Sequence, residues 1–291
     1  MITRCRLNHM YRNSILVLCV AVLCLSGFVN AESGFAGQQR SDPYNLFNRT
    51  PREKLRPLGP EPHPYTTDPG WFQLEIHPLN FTYNRDPDER RRAFGVPVLL
   101  KIGLLENIDL QIGTDTLIWE RTTDRSTGDR WQDRGFGDVT VASKINLWGN
   151  DYGDTAMAVM PFLTLPTARY DSGSGGITGG IHLPTAWILN DLWTLEVTPS
   201  AAAVRNSGNN GYVAGFGHLT VLNRGLFTNL AGFVELENFI TTERGNRWQS
   251  IMRTGLTWDV TNNFVIESGV GFGITGDTDD LNIYLTLVKR F

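Results

Sequence analysis

The sequence predicts an all-β protein, a transmembrane up-and-down antiparallel β-barrel of about 12 strands. Three observations lead there. The final segment alternates, with Leu281, Ile283, Leu285, Leu287 and Phe291 on one face and Asn282, Tyr284, Thr286 and Arg290 on the other. Short and long connections follow one another in turn along the chain. Aromatic residues gather near the strand ends. Lipid offers no hydrogen bonds to the backbone, so a strand can cross it only inside a closed barrel, where every group is paired with a neighbouring strand.

Before the barrel come two other segments. Arg4, Arg6 and Arg12 precede an apolar run from Ile15 to Phe28, and Val29-Asn30-Ala31 ends it with small residues. This pattern predicts a signal peptide over 1–31, cleaved after Ala31. All three cysteines, Cys5, Cys19 and Cys24, lie inside it, so the mature chain is expected to have no disulfide and no thiolate chemistry. Residues 32–70 are polar and carry Pro43, Pro51, Pro57, Pro60, Pro62, Pro64 and Pro69. Proline removes ladder donors, and the stretch has little apolar mass, so it reads as a disordered periplasmic leader. A plug entering the barrel is the alternative.

The barrel is expected over 71–291. Its candidate strands are 71–84, 93–104, 108–121, 138–148, 155–165, 177–189, 193–204, 212–222, 226–239, 247–258, 264–272 and 281–291. His77-Pro78 marks a bulge or break in the first. The short connections are 105–107, 149–154, 190–192, 223–225 and 259–263, as expected of periplasmic turns. The longer ones, 85–92, 122–137, 166–176, 205–211, 240–246 and 273–280, are expected outside. Trp148, Trp193, Trp258 and Phe291 are placed at the periplasmic girdle, and Trp119 and Trp248 at the outer one.

Alternation also assigns the inner face. The lumen candidates are Lys101, Asp109, Lys144, Glu196, His218, Glu235, Glu237, Arg253 and Glu267, accompanied by Glu75, Asp115 and Arg290. Charges at bilayer depth must face water or one another. They form either a paired network bracing the wall or an acidic wall of Glu235, Glu237 and Glu267 that favours cations, with Lys144 and Arg253 as counter-charges. Tyr212, Phe216, Phe227 and Phe233 are read as pointing inward as well.

Other functions find little support. The net charge is −4 and no basic stripe is present, which disfavours nucleic acid. No histidine neighbours a serine in a local motif, so no catalytic residue is assigned and the chain is read as a non-enzyme. No metal or cofactor is expected, since Asp277-Thr278-Asp279-Asp280 lacks the spaced ligand set of a calcium loop.

Three stretches carry a resemblance to a known family. Gly135-Phe136-Gly137-Asp138-Val139-Thr140-Val141-Ala142-Ser143-Lys144 resembles the glycine–aspartate strand start of the outer-membrane barrels named for a MetA pathway of phenol degradation. Leu100 to Leu104 with Ile108-Asp109-Leu110 resembles an early hairpin of that family. Pro161 to Thr167 resembles its strand ending in Pro-Thr-Gly, with Ala168 in place of the glycine. The resemblance spans 99–291 and implies a transporter-like barrel.

The expected function is therefore an outer-membrane channel for passive uptake of small, aromatic or hydrophobic solutes in a Gram-negative-type bacterium. The alternative is a plugged, non-transporting barrel with interacting outer loops. The implied partners are outer-membrane lipid, the barrel-assembly machinery that reads a terminal aromatic such as Phe291, and a small-molecule solute.

Overall fold

A computed structural model describes residues 62–291, apart from 152, 169–172, 246 and 247. The expected signal peptide and the leader as far as residue 61 lie outside the described residues.

The chain runs through β1 (Phe72–Arg85), β2 (Glu89–Leu105), β3 (Ile108–Asp124), β4 (Arg130–Gly135), β5 (Val139–Trp148), β6 (Thr155–Leu165), β7 (Thr178–His182), β8 (Thr185–Ile188), β9 (Trp193–Arg205), β10 (Tyr212–Phe227), β11 (Leu230–Thr241), β12 (Gln249–Thr261), β13 (Phe264–Gly273) and β14 (Leu281–Arg290). All pairings are antiparallel, and they close on themselves. The ladder passes from β10 through β14 to β1, on to β9, and back to β10. Closure is made by β1 and β14, with Gln73 opposite Arg290 and Tyr83 opposite Leu281. No strand edge is left open to lipid along this circuit, as the membrane requires.

Fourteen segments make 12 staves. The expected single strand over 177–189 is split into β7 and β8, which lie end to end between β6 and β9. Pro184 cannot donate to a ladder and interrupts the stave. The neighbours still hold it, since Ala158 N–H donates to Pro184 O at 2.9 Å and Leu183 N–H to Pro199 O at 3.0 Å. The additional β4 pairs with the outer end of β3 alone.

Several boundaries differ from expectation. The turn expected at 223–225 is strand, and the chain reverses at Thr228-Asn229 instead. The 85–92 and 122–137 connections are largely strand too. There β1, β2, β3 and β4 extend beyond the barrel as a sheet with tight turns. In β1 the register shifts between Ile76 and Leu79, where Pro78 lacks its N–H.

The leader also departs from its expected boundary. Residues 63–69 are buried, and they lie against the inner wall of the half of the barrel where β1 begins and β14 ends. The barrel makes room for this segment at Gly103. A Cβ there would stand 1.9 Å from Asp68 O. Gly70 N–H donates to Gly103 O at 2.9 Å, so the entry of the chain is fixed to β2.

Candidate functional site: the barrel lumen

The inner face is built from alternate residues of each strand. In β14, Asn282, Tyr284, Thr286, Val288 and Arg290 are buried, while Ile283 and Lys289 are exposed. Lys101, Asp109, Lys144 and Glu235 are at most 1% exposed, and Glu196 and Glu267 are also buried. Four buried ionisable side chains would be prohibitive without partners. The structure gives them partners of two kinds.

In the half where β1 begins, the partners are the wall and the entering segment. Lys101 Nζ lies 2.5 Å from Glu75 Oε1. Glu75 also accepts from Gln73 Nε2 at 2.7 Å. Asp109 accepts the Thr67 N–H at 2.9 Å and Gln111 Nε2 at 3.0 Å. Lys144 donates to Tyr65 O at 3.2 Å, and Asn146 Nδ2 to Pro64 O at 2.9 Å. Asn150 accepts the Thr66 N–H at 3.0 Å, Thr198 donates to Pro62 O at 3.0 Å, and Arg290 reaches Asp68 at 3.4 Å. Proline-rich chain suits this role, because it is extended and leaves its carbonyls free to accept.

Higher in the barrel the charges pair with each other. Arg253 bonds both Glu235 and Glu237, the latter at 2.7 Å. Glu267 accepts from Thr257 Oγ1 at 3.2 Å, and Glu196 from Asn223 Nδ2 at 3.4 Å. The acidic residues are thus not a bare wall. Lys144, expected as a counter-charge to them, instead serves the entering segment.

Two cavities adjoin the Arg253 cluster. One cavity, of about 290 Å³, is lined by Phe162, His182, Ala202, Val204, Leu219, Phe239 and the Glu235–Arg253–Glu237 group. A second, of about 390 Å³, lies against β1, β2, β12, β13 and β14, with His77, Leu99, Glu267 and Tyr284 among its walls. Arg253 lines both. The rings of Phe162 and His182 stack at 4.7 Å. Ala202 on β9 presents only a methyl group to this cavity, whereas Gly217 on β10 is a close-packing site, where a Cβ would stand 2.8 Å from Ser200 Oγ and 3.1 Å from Asn238 O.

Some expected site residues lie elsewhere. His218 borders the first cavity, but it is exposed and shares its face of β10 with Phe216, opposite Asn238. Its nearest polar partner is Asn238 Nδ2 at 3.5 Å. Tyr212 and Phe227 are exposed too, whereas Phe233 is 3% exposed and packs with Val221 and Tyr284 inside. The phase of β10 is therefore opposite to the expected one. Placing the turn five residues early removed the landmark that would have set it. Apolar residues also occupy the inner face here, against the usual rule.

Of the girdle residues, Trp148, Trp248, Trp258 and Phe291 are exposed at the strand ends and Trp119 is half-buried. Trp193 is not open to lipid. It is buried, with the Arg224 guanidinium 5.1 Å above its ring.

Outside the strands, Asp138 organises the 166–176 connection. It accepts from Ser174 N–H at 2.6 Å, Ser174 Oγ at 2.7 Å and Ala168 N–H at 2.9 Å. Burial alone would push this carboxyl up, but these donors outweigh it and hold the group below the usual carboxylate range.

Residues 59–291 match the model of the family described as "Putative MetA-pathway of phenol degradation". The chain belongs to that family. This member shares its barrel with an outer membrane channel from Pseudomonas putida F1, whose crystal structure aligns with a TM-score of 0.62 at 13% identity, covering 80% of this chain and 100% of that one. The NanC porin aligns with a TM-score of 0.50 at 9% identity, covering 74% and 98%. At these identities the likeness is one of fold. None of the curated proteins matches the chain.

Proposed function

We propose that this family member is an outer-membrane channel for passive uptake of small solutes, aromatic or hydrophobic in character. The observation that carries the reading is the lining of the cavity beside Arg253. Phe162, Leu219, Val204 and Phe239 supply apolar surface, and the Glu235–Arg253–Glu237 group supplies polar contacts at one edge. A few polar groups in a mainly apolar cavity are the usual recipe for a small-molecule site. Its volume suits a molecule of one ring. The signal peptide, periplasmic leader and delivery by the barrel-assembly machinery belong to the same proposal.

The experiment is solute flux into proteoliposomes containing the folded chain. A single-ring aromatic compound is expected to enter faster than a sugar of similar mass. Equal rates for the two, or no flux above empty vesicles, would overturn the reading. The buried segment 63–69 favours a second one, in which the lumen is closed and the barrel serves through its outer surface.

A further inference from the structure

The sheet that rises beyond the barrel sorts its charges by face. On the outward side of β2 the sequence reads Ile102, Leu100, Val98 and Val96, then Phe94, then Arg92 and Arg90. Phe94 stands opposite Phe81 on one side and Trp119 on the other. One tier higher, Arg92 stands beside Tyr83 and Arg121. Above that, Arg90 stands beside Arg85 and Thr123, and Thr123 beside Arg130. Arg134 completes the set beside Trp119. With its amide turned so that both atoms are satisfied, Gln132 accepts from Trp119 Nε1 at 2.9 Å and Arg134 Nε at 3.1 Å, which ties this edge together.

The acidic residues take the other face. Glu120 stands opposite Asp133 there, and Arg91 bridges Glu120 at 3.2 Å and Asp279 at 2.6 Å. Among the described residues, none of the six outward guanidinium groups pairs with a carboxylate. The height of the patch is also set. From Leu104 to Phe94 the strand rises about 33 Å at ~3.3 Å per residue, or about 25 Å along the membrane normal at a tilt near ~40°, the height of a barrel's apolar band. The arginines therefore begin where the outer headgroups begin, just above an aromatic tier.

We propose that this outward arginine face of β1–β4 docks a phosphorylated glycolipid of the outer leaflet, of the lipid A class. Guanidinium forks match phosphate geometry and bind it in a bidentate manner. The aromatic tier beneath meets the acyl chains at the level where such rings prefer to lie. Six unpaired like charges on one face repel one another unless an anion sits among them. A lipid satisfies both tiers at once, and a soluble anion satisfies only the upper. The inference needs the barrel in a membrane; it does not need an open lumen.

The test measures binding of three probes to the purified full chain in neutral detergent: diphosphoryl lipid A, the same lipid without phosphates, and inorganic pyrophosphate. Diphosphoryl lipid A is expected to bind at least about tenfold tighter than the dephosphorylated lipid and to weaken as salt is raised. The triple variant Arg90→Gln, Arg92→Gln, Arg121→Gln is expected to lose about tenfold in affinity, and the matching Lys triple to retain part of it. Should the Gln triple fail to fold, Arg92→Glu alone, at an exposed position, is expected to weaken binding in the same direction. Lys289→Gln, at the opposite rim, is expected to change nothing. Equal binding of the two lipids, or a folded Gln triple that binds like the parent, would overturn the proposal. Pyrophosphate binding as tight as lipid A would overturn the assignment to a lipid.

Discussion

In the half of the lumen that holds residues 63–69, Lys101 and Glu75 meet at 2.5 Å, with their side chains 1% and 5% exposed. At the opposite mouth Arg91 meets Glu120 at 3.2 Å, with side chains 42% and 33% exposed. Both are ion pairs, but they play different parts. The first sits among polar groups that hold residues 63–69, so each charge is committed to a partner and to the segment. The second stands in water, where both charges stay solvated and the pair is easily exchanged. One end of this barrel is built to be filled, and the other to remain accessible.

The sharpest way to break this comparison is to remove one partner from each region. Lys101→Met leaves Glu75 buried without its cation and is expected to destabilise the barrel by about 3–5 kcal/mol, read from urea unfolding in lipid vesicles. Arg253→Met does the same to Glu235, which is fully buried, and belongs in the same range. Gly103→Val acts by volume instead. Its Cβ would collide with Asp68 O, so the entering segment must shift, at a cost of about 1–3 kcal/mol. A Cys placed at Thr66 in that variant is expected to react faster with a water-soluble thiol reagent than in the parent. Arg91→Gln is expected to cost only about 1 kcal/mol, because the two pairs it removes, with Glu120 and Asp279, are both partly solvated. If Arg91→Gln costs as much as Lys101→Met, the contrast between the two ends is wrong.

The smallest effect concerns pH. The Asp138 carboxyl is held below its usual range, so its contribution is fully present above the unfolded-state value near ~3.9 and is lost as pH falls through the lower folded value. Hydrogen exchange of the Ala168 and Ser174 amides is expected to quicken, relative to the intrinsic rate, as pH drops below about 4. No such quickening in Asp138→Asn, which is already unprotected at neutral pH, would show that the carboxylate is the cause.

The parts of the fold that read clearly from the sequence are those with a single strong pattern. β14 alternates without interruption, and its inner and outer faces follow directly. β2 behaves likewise from Val96 to Ile102. β10 does not, because Val213, Leu219 and Val221 face inward while His218 and Thr220 face out. Leu219 and Val221 pack against Phe233 and Tyr284 rather than lipid, and alternation cannot tell one apolar environment from another. The split at Pro184 was visible as a proline, but its consequence depends on the neighbours β6 and β9 bridging it.

The lumen was partly legible for the same reason. Lys101, Asp109, Lys144 and Glu235 interrupt apolar strands, and a charge there has few other places to go. Their partners were not legible, since Tyr65, Thr66 and Thr67 come from a stretch with no periodicity. The signal available was compositional. Tyr65-Thr66-Thr67-Asp68 is a short run of hydrogen-bonding side chains between prolines, adjacent to the first strand. The cavity residues Ala202 and Gly217 carry no chemical mark at all; Ala202 matters by its small size, and Gly217 by the close approach of Ser200 and Asn238 that it permits.

The central claim is that the lumen is a path for small solutes, narrowed at one end by the segment before β1. Single-channel conductance in planar bilayers tests it most directly, comparing the full mature chain with one lacking residues 62–69. The account predicts a small conductance for the full chain and a several-fold larger one after the deletion. A folded barrel that conducts nothing in either form would contradict it.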